Sequence, residues 1–479
     1  SHDVVDIPGC PVLAPPLLPI LDTLRARAGG VGLRHVDARW SRHEEAAHVT
    51  LVVDGAAPVP AALARDLRRV HPELHGVSLR RTGGAVPRAL AGPSTLLAGT
   101  AGLWESLAGQ VFHLSPGAFF QADPAAAERL HEVVRDWLGP EDGRGHLIDL
   151  YAGVGAFALS LADRFARVTA IEQVPAAVDD ARRSAERAGR GPTSGFEVVL
   201  GDADLLASRP DLRAATAAVV DPPRRGLALS VVSALGHTAV RRLAYVACDP
   251  ATAARDASAL ACFDFVLRRV VPVDCFANTR AVECVALFER VPGAYAIPLL
   301  YRADGVVAVN KPAVLKTHPD APGDITLQDL VRRTTDDPRF APVHRLDVGT
   351  SGPLLFAHGR ELARLGEAFA AGAVHKEYVA LVSGVPHKKG RVQKRTERGL
   401  ERSRFVREAV VGGYGRVRVF PQTGRRHQVR RHMAGLGHPL LGDERYGRPA
   451  TQRFAMAVLG LNRLTPNALI VDRIDELLE

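Results

Sequence analysis

Strand-like and helix-like segments alternate along residues 124–290, and this alternation limits the possible folds of the chain more than any other feature. A helical stretch at 124–138 precedes a series of apolar runs typical of buried strands, which are HLIDLYAG, RVTAIEQ, FEVVLGDA, AAVVDPPR, RLAYVACDP, FVLRRVVPVD and AVECVALFER. Helical segments separate most of these runs. Such alternation predicts an open, mostly parallel α/β sheet that binds its ligand at the carboxyl ends of the strands.

The segments on either side of this sheet predict two further regions. Residues 1–120 combine a helical stretch with strand-like runs, which indicates an α+β subdomain. A break follows the sheet at VPGAYAIP, residues 291–298, and a strand-rich region with many Arg and Gly residues begins after it. We therefore expect an α+β subdomain at 1–120, an α/β domain at 121–291 and an α+β mixed-sheet domain at 298–479.

Charge is distributed unevenly between these regions. The net charge of the chain is +9, yet residues 293–479 contain 30 Lys and Arg against 19 Asp and Glu, and the rest of the chain has a small excess of acid. A basic region of this kind suits a polyanionic partner such as a nucleic acid. A basic surface that only faces solvent is the alternative.

The composition also excludes some classes of protein. No run of about 18 uncharged apolar residues occurs, so we expect no membrane span. The first residues have no basic segment before an apolar core, so we expect no signal peptide. The five cysteines are odd in number and irregularly spaced, which argues against a disulfide framework and for a reducing cytoplasm.

The segment DLYAGVGAF predicts a strand, a glycine turn and a helix, in which Gly153 and Gly155 would let the backbone approach a ligand closely. Acidic residues end successive predicted strands: Asp149, Glu172, Asp202 and Asp221. The pattern Gly-x-Gly-x-x-Ala also fits a nicotinamide dinucleotide site. S-adenosylmethionine is favoured, because a carboxylate just before the turn attracts an aminoacyl ammonium group and repels a pyrophosphate.

Two reactive side chains are placed near strand ends of the same sheet. Cys248 ends the run RLAYVACDP, and Glu283 lies at the start of a later strand. A free cysteine is most often a small buried hydrophobe. The alternative is a thiolate that adds to C6 of uracil, so that C5 becomes nucleophilic and accepts a methyl group, with a carboxylate base to remove the C5 proton.

The segment HRLDVGTSG contains Asp347, for which a simple turn is the first interpretation. A second basic segment, TGRRHQVRRHMAGLGHPLLGD, is predicted to form an amphipathic helix that buries Val429, Met433 and Leu436. Arg425 precedes this helix and could pair with a buried carboxylate.

Residues 1–291 resemble the S-adenosylmethionine-dependent RNA 5-methyluridine methyltransferases in the segments LSPGAFFQAD, DLYAGVGAF, DPPRRG, YVACDPATAARD and DCFANTRAVECV. The resemblance implies a Rossmann-like domain with Cys248 as nucleophile and Glu283 as base. It implies that S-adenosylmethionine is bound by the loop that includes Asp149, Gly153 and Gly155, and by Gln121, Tyr151, Glu172, Asp202 and Asp221.

The chain departs from that family at several positions. Ala152, Ala156, Ala277 and Ala281 replace the usual residues of the donor loop and of the segment around the base, and no β-barrel RNA-binding module is recognisable. Cys10 resembles one ligand of the iron–sulfur cluster found in some members, but the other three are absent, so we expect no cluster and no metal. An alternative is therefore a catalytically inactive half that only binds RNA.

Residues 298–479 resemble the RluA-type pseudouridine synthases in HRLDVGTSG, KEYVALVSG and TGRRHQVRRH…GHPLLGD. The resemblance implies that Asp347 is the catalytic carboxylate, that Tyr378 stacks on the base, that Arg425 holds Asp347 and that Arg345 replaces the flipped nucleotide. Arg426 and Arg430 are expected to bind RNA. The variant TGRRHQVRRH is closer to the branch that acts on tRNA.

The sequence thus predicts a cytoplasmic, bifunctional RNA modification enzyme. It would methylate uridine at C5 with S-adenosylmethionine and convert uridine to pseudouridine without a cofactor. The expected partner is tRNA or rRNA, with neither DNA nor a membrane. A nicotinamide oxidoreductase fused to an RNA-binding domain is a weaker alternative.

Overall fold

The structure is a computed structural model. It describes residues 9–10, 12–29, 32–55, 57, 60–82, 93–138, 145–276, 279, 281–320, 325–397, 399–443 and 445–447. By packing, the chain divides into two units. The first comprises Ser1–Ala203, Ala215–Asp221 and Val271–Val285, and the second comprises Asp204–Ala214, Pro222–Val270 and Ala286–Glu479. The predicted domain boundaries follow the motifs rather than this division, and they stay predictions.

The first unit begins with a four-stranded sheet and two helices. Their bounds are α1 (Leu17–Arg27), β1 (Leu33–Ser41), β2 (Ala46–Asp54), α2 (Ala61–Val70), β3 (Leu74–Thr82) and β4 (Thr95–Gly99). The strand order is β1-β2-β3-β4, in which β2 and β3 are parallel and the outer pairs antiparallel. Apolar side chains of α1, α2 and β2, including Ile20, Leu67 and Leu51, are fully buried in one core. This mixed sheet confirms the α+β composition expected here.

A seven-stranded sheet follows a short hairpin of β5 (Leu103–Leu107) and β6 (Gln110–Leu114). Its elements are α3 (Pro124–Trp137), β7 (His146–Leu150), α4 (Ala156–Ser160), β8 (Arg167–Glu172), α5 (Pro175–Arg187), β9 (Phe196–Leu200), α6 (Leu205–Ser208), β10 (Ala217–Val220), α7 (Leu229–Gly236), β11 (Arg242–Ala247), α8 (Pro250–Ala261), β12 (Phe265–Val273) and β13 (Glu283–Arg290). Two 3₁₀ turns lie at Pro192–Ser194 and Pro210–Ala214.

The strand order β12-β13-β11-β10-β7-β8-β9 confirms the predicted α/β architecture, and β10, β7, β8 and β9 pair in parallel. The order reverses between β7 and β10, which is where sheets of this kind bind ligands. Buried polar contacts join the hairpin to α5 within the first unit: Asp180 lies 2.6 Å from His113 and accepts a hydrogen bond from the Ser115 amide.

The elements that follow lie in the second unit. They are β14 (Leu299–Ala303), β15 (Val306–Lys311), α9 (Leu327–Thr335), β16 (Ala341–Pro342), β17 (Gly352–Ala357), α10 (Gly359–Ala371), β18 (Tyr378–Val382), β19 (Lys389–Thr396), β20 (Gly399–Val411), β21 (Tyr414–Pro421) and α11 (Gln428–Gly435). They build two four-stranded sheets, ordered β14-β15-β17-β16 and β18-β21-β20-β19, in which neighbouring strands are antiparallel.

Helix α11 is the predicted helix of the basic segment, and it begins after Arg425 and Arg426. Val429 and Met433 pack on the second of these sheets, as predicted. Leu436 does not, because it follows the last helical turn and leaves 40% of its surface exposed, so its predicted burial is wrong. In the part of the chain that the structure describes, no helix is both long and apolar enough to span a bilayer.

Candidate active sites

The first candidate site lies at the carboxyl ends of β7, β8 and β10 in the first unit. Asp149, on β7, pairs in register with Val219 of β10 and Ala170 of β8, and its side chain is fully buried. Its Oδ2 accepts a hydrogen bond of 2.9 Å from the Ala158 amide in α4. Its Oδ1 is buried and accepts no hydrogen bond from any residue that the structure describes. A buried carboxylate oxygen left in this way is suited to a donor supplied by a ligand.

The glycine loop is fixed by Glu172, the last residue of β8. Glu172 accepts hydrogen bonds from the Gly153 amide at 2.9 Å and from the Val174 amide at 2.8 Å. Tyr151, Gly153 and Gly155 all have left-handed backbone conformations, with φ of 64°, 56° and 77°. A Cβ at Gly153 would meet no atom within 4 Å, so the loop faces open space at this point.

Burial and mutual repulsion raise the pKa values of the acids at this strand edge. Burial is the main cause for Asp149, whose pKa rises to about 8, and the charges of Asp221 and Glu172 add to it. Burial likewise raises the pKa of Asp221 to about 7, with a contribution from Glu283. Acids placed so close together favour a cationic ligand, because a positive charge lets them ionise.

The remaining predicted residues of this site lie next to the ends of other helices and strands. Asp202 follows β9 and Gln121 precedes α3, and both are partly exposed. Glu283 is the first residue of β13 and is buried. Of the predicted departures, Ala281 lies just before β13, whereas Ala277 lies outside the described residues.

Cys248 follows β11 directly and precedes α8, whose first amides are capped by the Asp249 carboxylate. Cys248 is partly exposed, whereas Cys262, Cys275 and Cys284 are buried. Burial raises the pKa of the Cys262 thiol to about 11 and that of the Cys275 thiol to about 12, so these two are poor nucleophiles. Cys10 is partly exposed, and the prediction that it holds no iron–sulfur cluster stays a prediction.

The second candidate site is a cavity of about 520 Å³ in the second unit. It is lined by every side chain predicted for the pseudouridine synthase half: Arg345, Asp347, Tyr378, Arg425, Arg426 and Arg430. These residues come from three places in the chain, namely the loop between β16 and β17, the start of β18, and the segment that ends in α11. A cavity of this volume is large enough for a small organic ligand.

Asp347 contacts cationic and imidazole groups of the α11 segment. Arg430 Nη1 donates to Asp347 Oδ2 at 3.3 Å, and His427 Nε2 lies 3.7 Å from the same oxygen. Two other nitrogens of Arg430 donate to the buried Asp443 carboxylate at 2.7 and 2.8 Å, which fixes its guanidinium. Arg425 lines the same cavity, so its predicted pairing with Asp347 and the predicted RNA contact of Arg430 both stay predictions.

Three residues that hold this site together were missed from the sequence: Lys311, His427 and Asp443. Lys311 is buried at the end of β15 and donates to the carbonyls of Pro312, Val348 and Thr350 at 2.9, 3.0 and 2.9 Å. Two of these carbonyls, those of Val348 and Thr350, follow Asp347 closely in the chain. In the sequence, Lys311 differs from other lysines in that it ends an apolar run, VVAVNK, and this position is consistent with a buried lysine.

Tyr378 stays protonated in this environment. Burial raises its pKa to about 12, and the charge of Asp347 acts in the same direction. Burial lowers the pKa of His427, although Asp347 opposes this. At neutral pH the cavity therefore combines a phenol, a carboxylate and the guanidinium groups of its arginines.

The fold thus combines a Rossmann-like α/β sheet with two antiparallel sheets, and each part contains a candidate site. Residues 305–435 match the family model of the RNA pseudouridylate synthases. An uncharacterized RNA methyltransferase of Thermosynechococcus vestitus is 34% identical over 302 residues, which are 60% of this chain and 66% of the relative. One of Parasynechococcus marenigrum is 34% identical over 306 residues, 61% of this chain and 65% of the relative.

A solved structure of similar fold is the tRNA (uracil-54, C5)-methyltransferase of Pyrococcus abyssi in complex with S-adenosyl-L-homocysteine. The two are 24% identical with a TM-score of 0.50, and the match covers 60% of this chain and 70% of the other. The chain spans just under two thirds of the length of the two curated relatives. Residues 305–435 thus match the RNA pseudouridylate synthases and the chain is similar to RNA methyltransferases, which favours neither the nicotinamide oxidoreductase nor a half that only binds RNA.

Proposed function

We propose that this protein modifies RNA in two ways, by methylating uridine at C5 and by converting uridine to pseudouridine. The observation that carries the proposal is the cavity in which Asp347 is held by Arg430 beside Tyr378. The three residues to which the family resemblance assigns catalytic roles, Asp347, Tyr378 and Arg425, all line this cavity, which supports the proposal. The reducing cytoplasm is where we expect the protein to act.

Isomerisation requires the glycosidic bond to break, the uracil to turn and a carbon–carbon bond to form. Asp347 starts the reaction, either by attack on the nucleoside or by removal of a sugar proton. Arg430 pairs with the Asp347 carboxylate, and such an ion pair opposes the cost of shielding a charge from water. The ring of Tyr378, which lines the cavity, stacks on the uracil after the base leaves the RNA helix.

The acids of the first unit fit S-adenosylmethionine, which supplies a methyl group on a sulfonium centre. Asp149 Oδ1 is free to accept a hydrogen bond from an ammonium group, and the neighbouring acids attract a cation. Glu172 uses one lone pair of each oxygen for backbone amides, so it can still accept from ribose hydroxyls. The open space at Gly153 leaves room for a ligand against the backbone.

Methylation at C5 then follows from the chemistry of two side chains. The Cys248 thiolate adds to C6 of uracil, and the electron pair of the C5–C6 bond moves to give an enolate that is nucleophilic at C5. C5 would accept the methyl carbon as the bond between that carbon and the sulfonium sulfur of the donor breaks, which would leave S-adenosylhomocysteine. Glu283 removes the C5 proton, the double bond re-forms and the Cys248 thiolate leaves.

The substrate is a structured RNA, tRNA or rRNA, with a uridine that can be extruded. The arginine segment TGRRHQVRRH leans toward the tRNA-acting branch, so tRNA is the first RNA to test. The Pyrococcus abyssi protein is a methyltransferase that acts on a uracil of tRNA, and we propose that this chain also methylates a uracil.

The proposal is tested with purified full-length protein and unmodified tRNA and rRNA transcripts, incubated with and without S-adenosylmethionine. Nucleosides from the digested RNA are separated by chromatography and identified by mass spectrometry. We expect pseudouridine in both reactions and 5-methyluridine only with the methyl donor. Absence of both products from every RNA, or methylation at a different atom, would contradict the proposal.

A further inference from the structure

A second cavity, of about 560 Å³, also contains Asp347, and some of its lining comes from a different part of the chain. Arg345, Asp347, Arg426 and Arg430 are among its lining residues. Other lining residues belong to the Rossmann-like region, in or near α6 and α7: Leu206, Arg213, Leu229, Ser230, Ser233, Ala234 and His237. All of these residues lie in the second unit.

Hydrogen bonds join the end of α7 to the strand-rich region that begins after residue 298. His237 Nε2 accepts a hydrogen bond of 3.0 Å from the Ile325 amide. Since Nε2 is an acceptor, the proton is on Nδ1, which lies 2.6 Å from the Ser233 carbonyl and donates to it. Nearby, Arg333 of α9 makes two hydrogen bonds of 2.9 Å to the Asp264 carboxylate. The part of the cavity wall formed by α7 is therefore held in place by hydrogen bonds.

The cavity is positively charged. Across the described residues, the guanidinium groups of Arg213, Arg345 and Arg426 form no ion pair with a carboxylate. Apart from Asp347, the acid in the lining is Asp320, and Lys316 lies 3.3 Å from it. Guanidinium groups that line one cavity without a carboxylate partner attract a polyanion, and the phosphates of an RNA strand have the matching charge.

We infer that Arg213 and α7 form part of the RNA-binding surface of the pseudouridine synthase site. A strand whose uridine lies against Asp347 extends along this cavity, and Arg213 contacts one of its phosphates. The Rossmann-like region thus contributes directly to substrate binding by the other active site. The inference rests on the proposed pseudouridine synthase function.

The test uses Arg213→Glu and Ser233→Glu in the full-length protein, which place a negative charge on the α7 side of the cavity. Pseudouridine formation is measured as initial rates over a range of RNA concentrations. We expect KM to rise about tenfold in each variant while kcat changes little, since the charge acts on phosphate contacts and not on Asp347. The dependence of log KM on log salt concentration should be shallower by about one unit for Arg213→Glu.

Arg183→Glu is the matched control, because Arg183 is exposed on α5 and lines neither cavity. It should keep the KM and the salt dependence of the wild type. If the wild type forms pseudouridine and both α7-side variants keep its KM, the inference is wrong and the proposed function stands. If the wild type forms no pseudouridine on any RNA, the proposed function fails as well.

Discussion

At the scale of single residues, the loop that carries Asp347 is fixed by side chains far from it in the sequence. Lys311 holds two carbonyls of that loop from β15, and Arg430 reaches Asp347 from α11. Arg430 is itself held by Asp443. Motifs in the sequence predicted Asp347, Tyr378 and the arginines, because each lies in a short recognisable segment. Lys311, His427 and Asp443 could not be predicted, because their roles arise from contacts that only the fold creates.

Lys311 should therefore matter for catalysis without touching the substrate. In Lys311→Met, the three carbonyls lose their shared donor and the Asp347 loop loses its anchor. We expect kcat for pseudouridine formation to fall by about tenfold or more, since small misplacements of a reacting group are costly. Burial lowers the pKa of Lys311 to about 7, so the wild type should also lose this anchor gradually at alkaline pH.

The control for this variant is Lys389→Met, because Lys389 is exposed on β19 and lines no cavity near Asp347. It should retain the wild-type kcat. Methylation by the Lys311→Met protein reports whether the chain has folded. A wild-type kcat for pseudouridine formation in Lys311→Met would show that the loop does not need this anchor.

At the scale of elements, the sequence predicted the α/β region well and the long hairpin of β19 and β20 poorly. Every strand from β7 to β13 is an apolar run that ends at a turn, and such runs are recognisable without the fold. Helix α4 ends at Ser160. Beyond it, the amides of Ala162 and Arg164 donate to carbonyls three residues earlier, those of Leu159 and Leu161, so the α-helical pattern does not continue. The hairpin was missed because nine of the 21 residues in its strands are charged and most of them are exposed, so no apolar run marks it.

Helix α11 offers a test of how the element packs. Met433 is fully buried against the second sheet, whereas Leu436 is exposed. Met433→Ala should lower the free energy of unfolding by about 2–5 kcal/mol, because it removes buried methylenes and leaves a cavity. Leu436→Ala is the matched control and should change it by less than about 0.5 kcal/mol. Equal losses in a denaturant titration would mean that the helix faces the core differently.

The acids at the ends of β7 and β10 predict how donor binding depends on pH. Their pKa values are raised, to about 8 for Asp149 and about 7 for Asp221, so at neutral pH the ligand-free site holds protons. A cationic ligand favours the ionised acids. The affinity for S-adenosylmethionine should therefore increase between about pH 6 and about pH 9, and binding near pH 7 should release protons. Calorimetry in two buffers of different ionisation enthalpy measures both quantities.

S-adenosylhomocysteine is the comparison ligand, because it keeps the ammonium group proposed to bind Asp149 and lacks only the sulfonium charge. It should show the part of the pH dependence that the ammonium group causes. The same shifts affect stability. In the folded protein these acids bind protons more tightly than at their ordinary pKa of 3.8, so without ligand the free energy of unfolding should fall as pH rises from about 4 to about 8. An affinity for S-adenosylmethionine that is independent of pH would exclude these acids from the donor site.

At the scale of the whole molecule, the protein combines two sites with opposite electrostatic character. The donor site of the first unit is a buried cluster of acids, whereas the cavity around Asp347 is lined by arginines. The excess of basic residues in 293–479 is consistent with an RNA partner, and Arg345, Arg425, Arg426 and Arg430 of this region line the Asp347 cavities. Because the two sites are separate, methylation should depend on Cys248 and pseudouridine formation on Asp347.

One measurement tests this claim most directly: the nucleosides formed in one tRNA by the wild type, Asp347→Asn and Cys248→Ala, each supplied with S-adenosylmethionine. We predict that Asp347→Asn forms 5-methyluridine without pseudouridine and that Cys248→Ala forms pseudouridine without 5-methyluridine. Pseudouridine in the product of Asp347→Asn, or 5-methyluridine in that of Cys248→Ala, would contradict the account.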